Sequence, residues 1–372
     1  MMGAAQYHHG RFPPVDLDWP RLLPLIGPAS AAVARYEGVL YGIPNADVLL
    51  SPLTTQEAVL SSKIEGTQAT FGEVLEYQAT GEAAGDSEKE ADIREVLNYR
   101  AALLHAVKMM ASLPLSQRVV KEAHHVLMQG ARGQNRTPGE YRRVPNWIGS
   151  AGCTVETARC VPVSAERLPD VMSAWERYLH TNAPDKLVQL AVLHAEFEAI
   201  HPFLDGNGRL GRLLVPLFLV DKQLLSSPNF YISAYLENHR EEYYERLLAV
   251  SRDNDWTGWC EFFLRAIIQQ AEANQAKALA ILDLYRKKKE WIAELTHSHH
   301  AIRALDWFFS RPIFRTSDFV ESAGIPKPTA HRILQLTRRG RLFKVLRASS
   351  GRRPAILGFS ELLNLTEAGA VF

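Results

Sequence analysis

The segment His201-Pro202-Phe203-Leu204-Asp205-Gly206-Asn207-Gly208-Arg209-Leu210-Gly211-Arg212 constrains this chain more than any other stretch. It joins two runs whose apolar residues recur at three- and four-residue spacing, Leu187 to Ile200 and Arg209 to Asp221, and that spacing predicts helices. Pro202 disfavours helical geometry at His201, so the first helix should stop there. Gly206 and Gly208 can take positive φ, and a second helix should start at Asn207 or Gly208. A glycine-rich turn feeding a helix N-terminus aims several backbone N–H groups at one point, which makes an anion site before any side chain is added. Arg209 and Arg212, three apart, share a face and add guanidinium donors suited to phosphate oxygens. Asp205 supplies a hard oxygen ligand that suits Mg²⁺ bridging phosphates. His201, with an ordinary pKa of about 6.5, stands at the rim as a general base.

Other readings of the same glycines fail on chemistry. Gly206-x-Gly208-x-x-Gly211 matches the dinucleotide fingerprint, but a helix precedes it where a strand is required, and Asp221 comes too early for the ribose-binding acid. Asp205-x-Asn207 opens like a calcium loop, yet its fifth and twelfth positions would be Arg209 and Pro216. A phosphate-binding Walker loop lacks its Lys-Ser/Thr. A helix–turn–helix corner with merely solvated charges remains, and five chemically specific residues within twelve argue against it.

The rest of the chain reads mainly as helix: Thr55 to Ile64, Lys89 to Met110, Gln117 to Gln129, Leu168 to His180, Arg240 to Ser251 and Trp256 to Trp291. Val144 to Val163 interrupts this as a β-hairpin, with Asn146-Trp147-Ile148-Gly149 and Arg159 to Val163 flanking a polar turn. The 372 residues carry a net charge of only +1, which excludes a wholesale polybasic or polyacidic protein. The balance is uneven, however. From His300 onward twelve Lys/Arg stand against five Asp/Glu, so a separate basic C-terminal domain is expected. Its pattern is helix (Ala301–Phe309), helix (Thr316–Ala323), a Gly324-Ile325-Pro326 turn, helix (Pro328–Arg339), then short strands at Leu342–Leu346 and Pro354–Gly358. That order resembles a winged helix, in which Lys327, Thr329, His331, Arg332 and Arg338, with Arg347, Arg352 and Arg353 in the wing, could meet DNA.

Three cysteines, Cys153, Cys160 and Cys260, make no disulfide framework and read as reduced thiols. No secretory signal is visible, and the apolar stretch Leu213 to Val220 falls far short of the roughly 20 residues a membrane helix needs. A cytoplasmic protein is expected, with no membrane partner. His297, His299 and His300 read as a solvated linker, and His194 with Glu198 lacks the HExxH zinc pattern.

The motif His201-x-Phe203-x-Asp205-Gly206-Asn207-Gly208-Arg209-x-x-Arg212 resembles the complete signature of the Fic family, with no departure at any defined position. The similarity extends over roughly residues 50 to 265 and includes Pro138-Gly139-Glu140-Tyr141-Arg142, the Asn146–Gly149 hairpin and Glu242-Tyr243-Tyr244. Fic proteins are helical enzymes that mostly transfer AMP from ATP to a Ser, Thr or Tyr hydroxyl of a protein. The resemblance implies that His201 deprotonates the target hydroxyl and that Asp205 holds Mg²⁺. Asn207 with the Gly206 and Gly208 amides would cradle the phosphates, with Leu210 and Gly211 counted in the same nucleotide-binding stretch. Arg209 and Arg212 would bind the outer phosphates. The hairpin would be a flap that docks the target by β-augmentation, with Asn146, Trp147, Ile148 and Gly149 near the nucleotide and Tyr243 and Tyr244 near the adenine.

Ser61-Ser62-Lys63-Ile64-Glu65-Gly66 likewise resembles the family's inhibitory motif, (S/T)xxxE(G/N), in the class that carries it on an N-terminal helix of the same chain. A carboxylate at that helix tip could pair with Arg212 and take the place of the γ-phosphate. The expectation is therefore a mainly α protein, a helical Fic fold with a small hairpin flap and a C-terminal winged helix. Its parts would be an N-terminal helical segment with the inhibitory helix (1–110), a catalytic core (111–270), a linker helix (271–298) and a winged-helix-like domain (299–372). ATP and Mg²⁺ would be its cofactors, and a hydroxyl-bearing protein or itself its target. DNA and a homodimer are further possible partners. A DNA-binding regulator that uses the Fic fold as a nucleotide sensor is the alternative.

Overall fold

The computed structural model describes residues 4–82, 87–130, 136–149, 152–350 and 353–367. Arg352, one of the wing arginines, lies outside them. Strand β1 (Ala5–Gln6) precedes helix α1 (Trp19–Tyr41), the short α2 (Ala46–Leu49), α3 (Ser51–Ile64), α4 (Phe71–Thr80) and α5 (Ser87–Met110). Helix α6 (Gln117–Leu127), strand β2 (Cys160–Val161) and α7 (Leu168–Leu179) lead to the pair α8 (Lys186–Ile200) and α9 (Asn207–Asp221). After α10 (Ser233–Asn238), α11 (Arg240–Asp253) and the 41-residue α12 (Trp256–Thr296) come α13 (Ala301–Ser310), β3 (Ile313–Arg315), α14 (Thr316–Ser322), α15 (Lys327–Arg339), β4 (Lys344–Arg347), β5 (Ile356–Gly358) and α16 (Ser360–Glu367). The chain is predominantly helical, as its periodicity predicts.

Two compact units divide these elements. One is drawn from residues 1–37, 60–66 and 98–272, the other from 38–59, 67–97 and 273–372. The first unit is organised around α8, whose residues from Leu187 to Ile200 are all buried. Asp185 caps its start, accepting from the Leu187 and Val188 N–H groups at 2.9 Å. Two indoles brace it: Trp175 donates to the Leu193 carbonyl and Trp259 to that of Ala191. A helix buried on all sides lies inside a packed bundle, and α9 is buried against it in the same way.

Periodicity missed two long elements. Helix α1 contains Pro24 and Pro28, which break the usual helix signal yet are accommodated. Helix α4 is announced by a capping box, Thr70 with Glu73, which spacing of apolar residues alone does not detect. The expected hairpin is reduced to one antiparallel bridge, Ile148 with Cys160, because β2 instead pairs in parallel with β1. Two alternating runs could not announce this partner, since it lies more than 150 residues away in sequence.

The second unit holds a three-stranded antiparallel sheet in the order β3-β5-β4. Strand β3, for which the sequence predicts no element, pairs Phe314 with Leu357. Phe308, Phe314, Phe319 and Phe343 form an aromatic cluster beneath it, with Phe308 and Phe319 ring centroids 4.6 Å apart.

Candidate active site

Helix α8 ends at His201, which takes φ 49° and ψ 60° in the left-handed region rather than the extended geometry expected before proline. Such a backbone is costly for a residue with a Cβ and persists only where neighbours impose it. Here Arg142 imposes it. Its guanidinium is buried and donates to the carbonyls of His201 (2.9 Å), Ile200 and Val163, while the Arg142 backbone N–H donates to the Pro202 carbonyl. It therefore satisfies the orphan carbonyls at the C-terminus of α8 with a positive charge, where the helix dipole favours one. Replacing Arg142 by Met would take this donor from the Ile200 and Val163 carbonyls and leave that of His201 with Asn146, and is expected to cost about 3 kcal/mol of stability, read as a fall in unfolding temperature.

The turn that follows is pinned by Asn207. Its Oδ1 accepts from the Phe203 N–H and its Nδ2 donates to the Phe203 carbonyl, both at 2.9 Å. Both polar ends of that buried amide engage backbone, so Asn207 shapes the cradle, and its second Nδ2 hydrogen is not used by either bond. His124 fixes the turn from the other side. Its ring stacks on Phe203 at 3.7 Å, its Nδ1 accepts from the Gly139 N–H and its Nε2 donates to the Asp205 carbonyl. Gly206 provides positive φ (75°), whereas Gly208 is needed for close approach. A Cβ on Gly208 would collide with Glu65 Oε1.

Glu65 reaches this point from the end of α3. Its carboxylate accepts from Arg212 at 2.7 Å, over the first turn of α9. Ser61, one turn earlier, accepts from Arg212 Nε through its hydroxyl and from the same guanidinium through its carbonyl. The Arg212 side chain is 1% exposed and that of Glu65 36%. Burial pushes the Glu65 carboxyl up, but Arg212, with Arg209 and His201, outweighs it and holds the group below the usual range. Gly66 ends the helix with φ 101°, which a residue with a side chain rarely adopts.

His201 is half-buried at the mouth of this cradle. Its Nδ1 approaches the Glu198 carbonyl at 3.3 Å, and since a carbonyl only accepts, Nδ1 carries the proton and Nε2 keeps its lone pair. Burial pushes its pKa down to about 4, so it is neutral at pH 7. Asp205 is half-exposed, holds the Gly206 N–H at 2.6 Å and lies 3.8 Å from Arg209. Its single carboxylate fits Mg²⁺, which typically takes one or two protein carboxylates and draws its other ligands from phosphates and water. No cluster of three metal-ligating side chains occurs among the described residues.

Three expected nucleotide contacts are corrected by burial. Leu210 is fully buried in the core face of α9. Gly211 faces inward, its carbonyl accepting from His194 Nδ1 and its missing Cβ leaving room for Glu198. Tyr243 is 1% exposed, its hydroxyl donating to His194 Nε2 below the motif, so it lines no ligand surface. Tyr244 reaches the Ile64 carbonyl, at the end of the Glu65 helix. At the hairpin, Asn146 donates to the His201 and Phe203 carbonyls, Ile148 forms the bridge, Gly149 packs on Cys153, and Trp147 is 42% exposed.

His194 is pushed down to about 3 and His124 to about 4, in both cases by burial. With His201 they make three neutral histidines that the unfolded chain would protonate at about pH 6.5. Their contribution to stability is complete above that pH and is lost as the pH falls towards 4. The unfolding temperature is expected to drop across that window.

A helical bundle in which a helix N-terminus, two arginines and an imidazole converge defines the class of fold to which this chain belongs. Residues 23–108 match the Fic/DOC family N-terminal domain and residues 114–219 the Fic/DOC family domain, and the chain belongs to this family. It is 27% identical over 197 residues to a probable protein adenylyltransferase of Aquifex aeolicus, spanning 50% of this chain and 56% of that protein. It is 30% identical over 142 residues to the protein adenylyltransferase Fic of Nematostella vectensis, spanning 37% of this chain and 31% of that protein. The match thus spans about half or less of these curated relatives. A Fic family protein from Desulfovibrio desulfuricans shares the fold, with a TM-score of 0.57 at 21% identity over 93% of this chain and 98% of that one.

Proposed function

We propose that this chain transfers AMP from ATP to a hydroxyl of a protein, itself included, and that Glu65 restrains the transfer. The observation that carries this reading is the Glu65 carboxylate held by Arg212 above Gly208: an anion already sits on the guanidinium that this reading assigns to the γ-phosphate. The relatives named as protein adenylyltransferases support the same reaction class. In this reading His201 Nε2 takes the proton from the target Ser, Thr or Tyr hydroxyl. Its oxygen then attacks the α-phosphorus, and the bond to the β-phosphate oxygen breaks to release pyrophosphate. The α9 amides, Arg209 and Arg212 stabilise the charge on the phosphates. Asp205 would hold Mg²⁺, which supplies further charge neutralisation when bound. The exposed face of Trp147 and the hairpin edge would receive the target segment.

Because His201 stays neutral down to about pH 4, kcat/KM for transfer is expected to hold from about pH 8 to pH 5 and fall only below that. A profile that breaks at about 6.5 would show an ordinary, solvated imidazole at work. The reaction class is tested by incubating the Glu65→Gly protein with ATP labelled on the α- or γ-phosphate. Protein labelled from the α position alone supports AMP transfer, label from γ alone means phosphoryl transfer, and no label favours a nucleotide sensor. Action in the cytoplasm accords with three free thiols and with no described helix long and apolar enough to cross a membrane.

A further inference from the structure

The second unit carries a basic surface that the transfer reaction does not use. Helices α14 and α15 are joined by the four residues Ala323–Pro326, with Gly324 at φ 64°, as a helix–turn–helix. Helix α15 buries Ala330, Ile333, Leu334 and Thr337 against the core. Its opposite face exposes Lys327, His331, Gln335, Arg338 and Arg339, a stripe about 18 Å long at helical rise. That face and the β4–β5 hairpin enclose a groove of about 900 Å³. Glu321 is the one acidic side chain lining it among the described residues.

The structure also separates structural cations from free ones. Arg303 and Arg332 donate to the carbonyls of Gly324 and Thr296, Arg311 to Ser322, and Arg347 pairs with Glu82. Arg332 and Arg347, read from sequence as DNA contacts, are thus engaged within the fold. Lys327, Arg338 and Arg339 form no ion pair among the described residues. Three unneutralised cations on one helix face, flanking a histidine and a glutamine, suit a polyanion with readable edges between its phosphates better than an acidic polypeptide.

We propose that this groove binds duplex DNA, with α15 in the major groove. Lys327, Arg338 and Arg339 would meet phosphates, and His331 and Gln335 would face base edges. The test uses the full chain and a labelled 30-base-pair duplex of mixed sequence, with the dissociation constant measured from low to moderate salt. Binding should weaken steeply with salt, because each phosphate contact adds about 0.9 to the log–log slope. Lys327→Ala/Arg338→Ala/Arg339→Ala should weaken binding at least tenfold and reduce that slope by about 2 to 3. Arg286→Ala/Lys289→Ala, exposed cations on α12 outside the groove, should leave both unchanged. Absence of binding at low salt, equal loss in the two variants, or equal competition by polyglutamate at matched charge would each overturn the proposal. The last result would assign the groove to an acidic protein partner.

Discussion

Replacing Glu65 by glycine is expected to raise AMP transfer by roughly 100-fold, the scale on which displacement of a reacting phosphate by about 1 Å matters. In the proposed reading the carboxylate now on Arg212 takes the place of a terminal phosphate, so ATP bound beside it would present its α-phosphorus out of line. The same substitution leaves the Arg212 guanidinium buried with only its Ser61 partners. Removing one member of a buried ion pair destabilises the other. The variant should therefore unfold at lower temperature without nucleotide and gain more from added ATP than the parent does. Equal labelling of variant and parent would mean that Glu65 is no brake. Equal nucleotide-induced stabilisation would mean that Arg212 does not receive the phosphate.

His201→Ala is expected to lower transfer by roughly 10²- to 10⁴-fold, the usual worth of a general base, with ATP binding retained. Alanine at φ 49° carries a backbone cost of about 1–2 kcal/mol that histidine also pays here. His201→Asn is the cleaner companion, since asparagine tolerates the left-handed region while lacking a base of suitable strength. Both variants should lose transfer in the Glu65→Gly background, where the brake is absent. Undiminished labelling in either would remove the imidazole from the proton-transfer step.

Much of the cradle was legible because it is local. Pro202, the two glycines and the arginines at 209 and 212 act within one turn of backbone, where spacing alone decides which groups converge. Arg142 stood in the sequence inside Pro138–Arg142, but its grip on the end of α8 could not be read there, because it depends on carbonyls some sixty residues away. His124 gave still less signal: a histidine on an amphipathic helix, with no hint that it would stack on Phe203 and hold the Asp205 carbonyl. The assignment of Leu210, Gly211 and Tyr243 to the nucleotide failed for the opposite reason. Proximity in a motif or a helix does not say which face is turned inward, and all three face the core.

From its residues alone this chain determined a helix, a glycine turn and a second helix whose amides and guanidiniums await an anion, since those consequences follow from short-range backbone geometry. The resemblance of the Ser61–Gly66 motif already pointed Glu65 at Arg212, and the structure holds that pair at 2.7 Å. Only the tertiary structure decided what else meets that turn: Ser61 also accepts from Arg212, and the carbonyl of Glu198 leaves the free nitrogen of His201 as Nε2. Contacts of that kind arise from how buried helices pack, and spacing along a single chain carries no record of them.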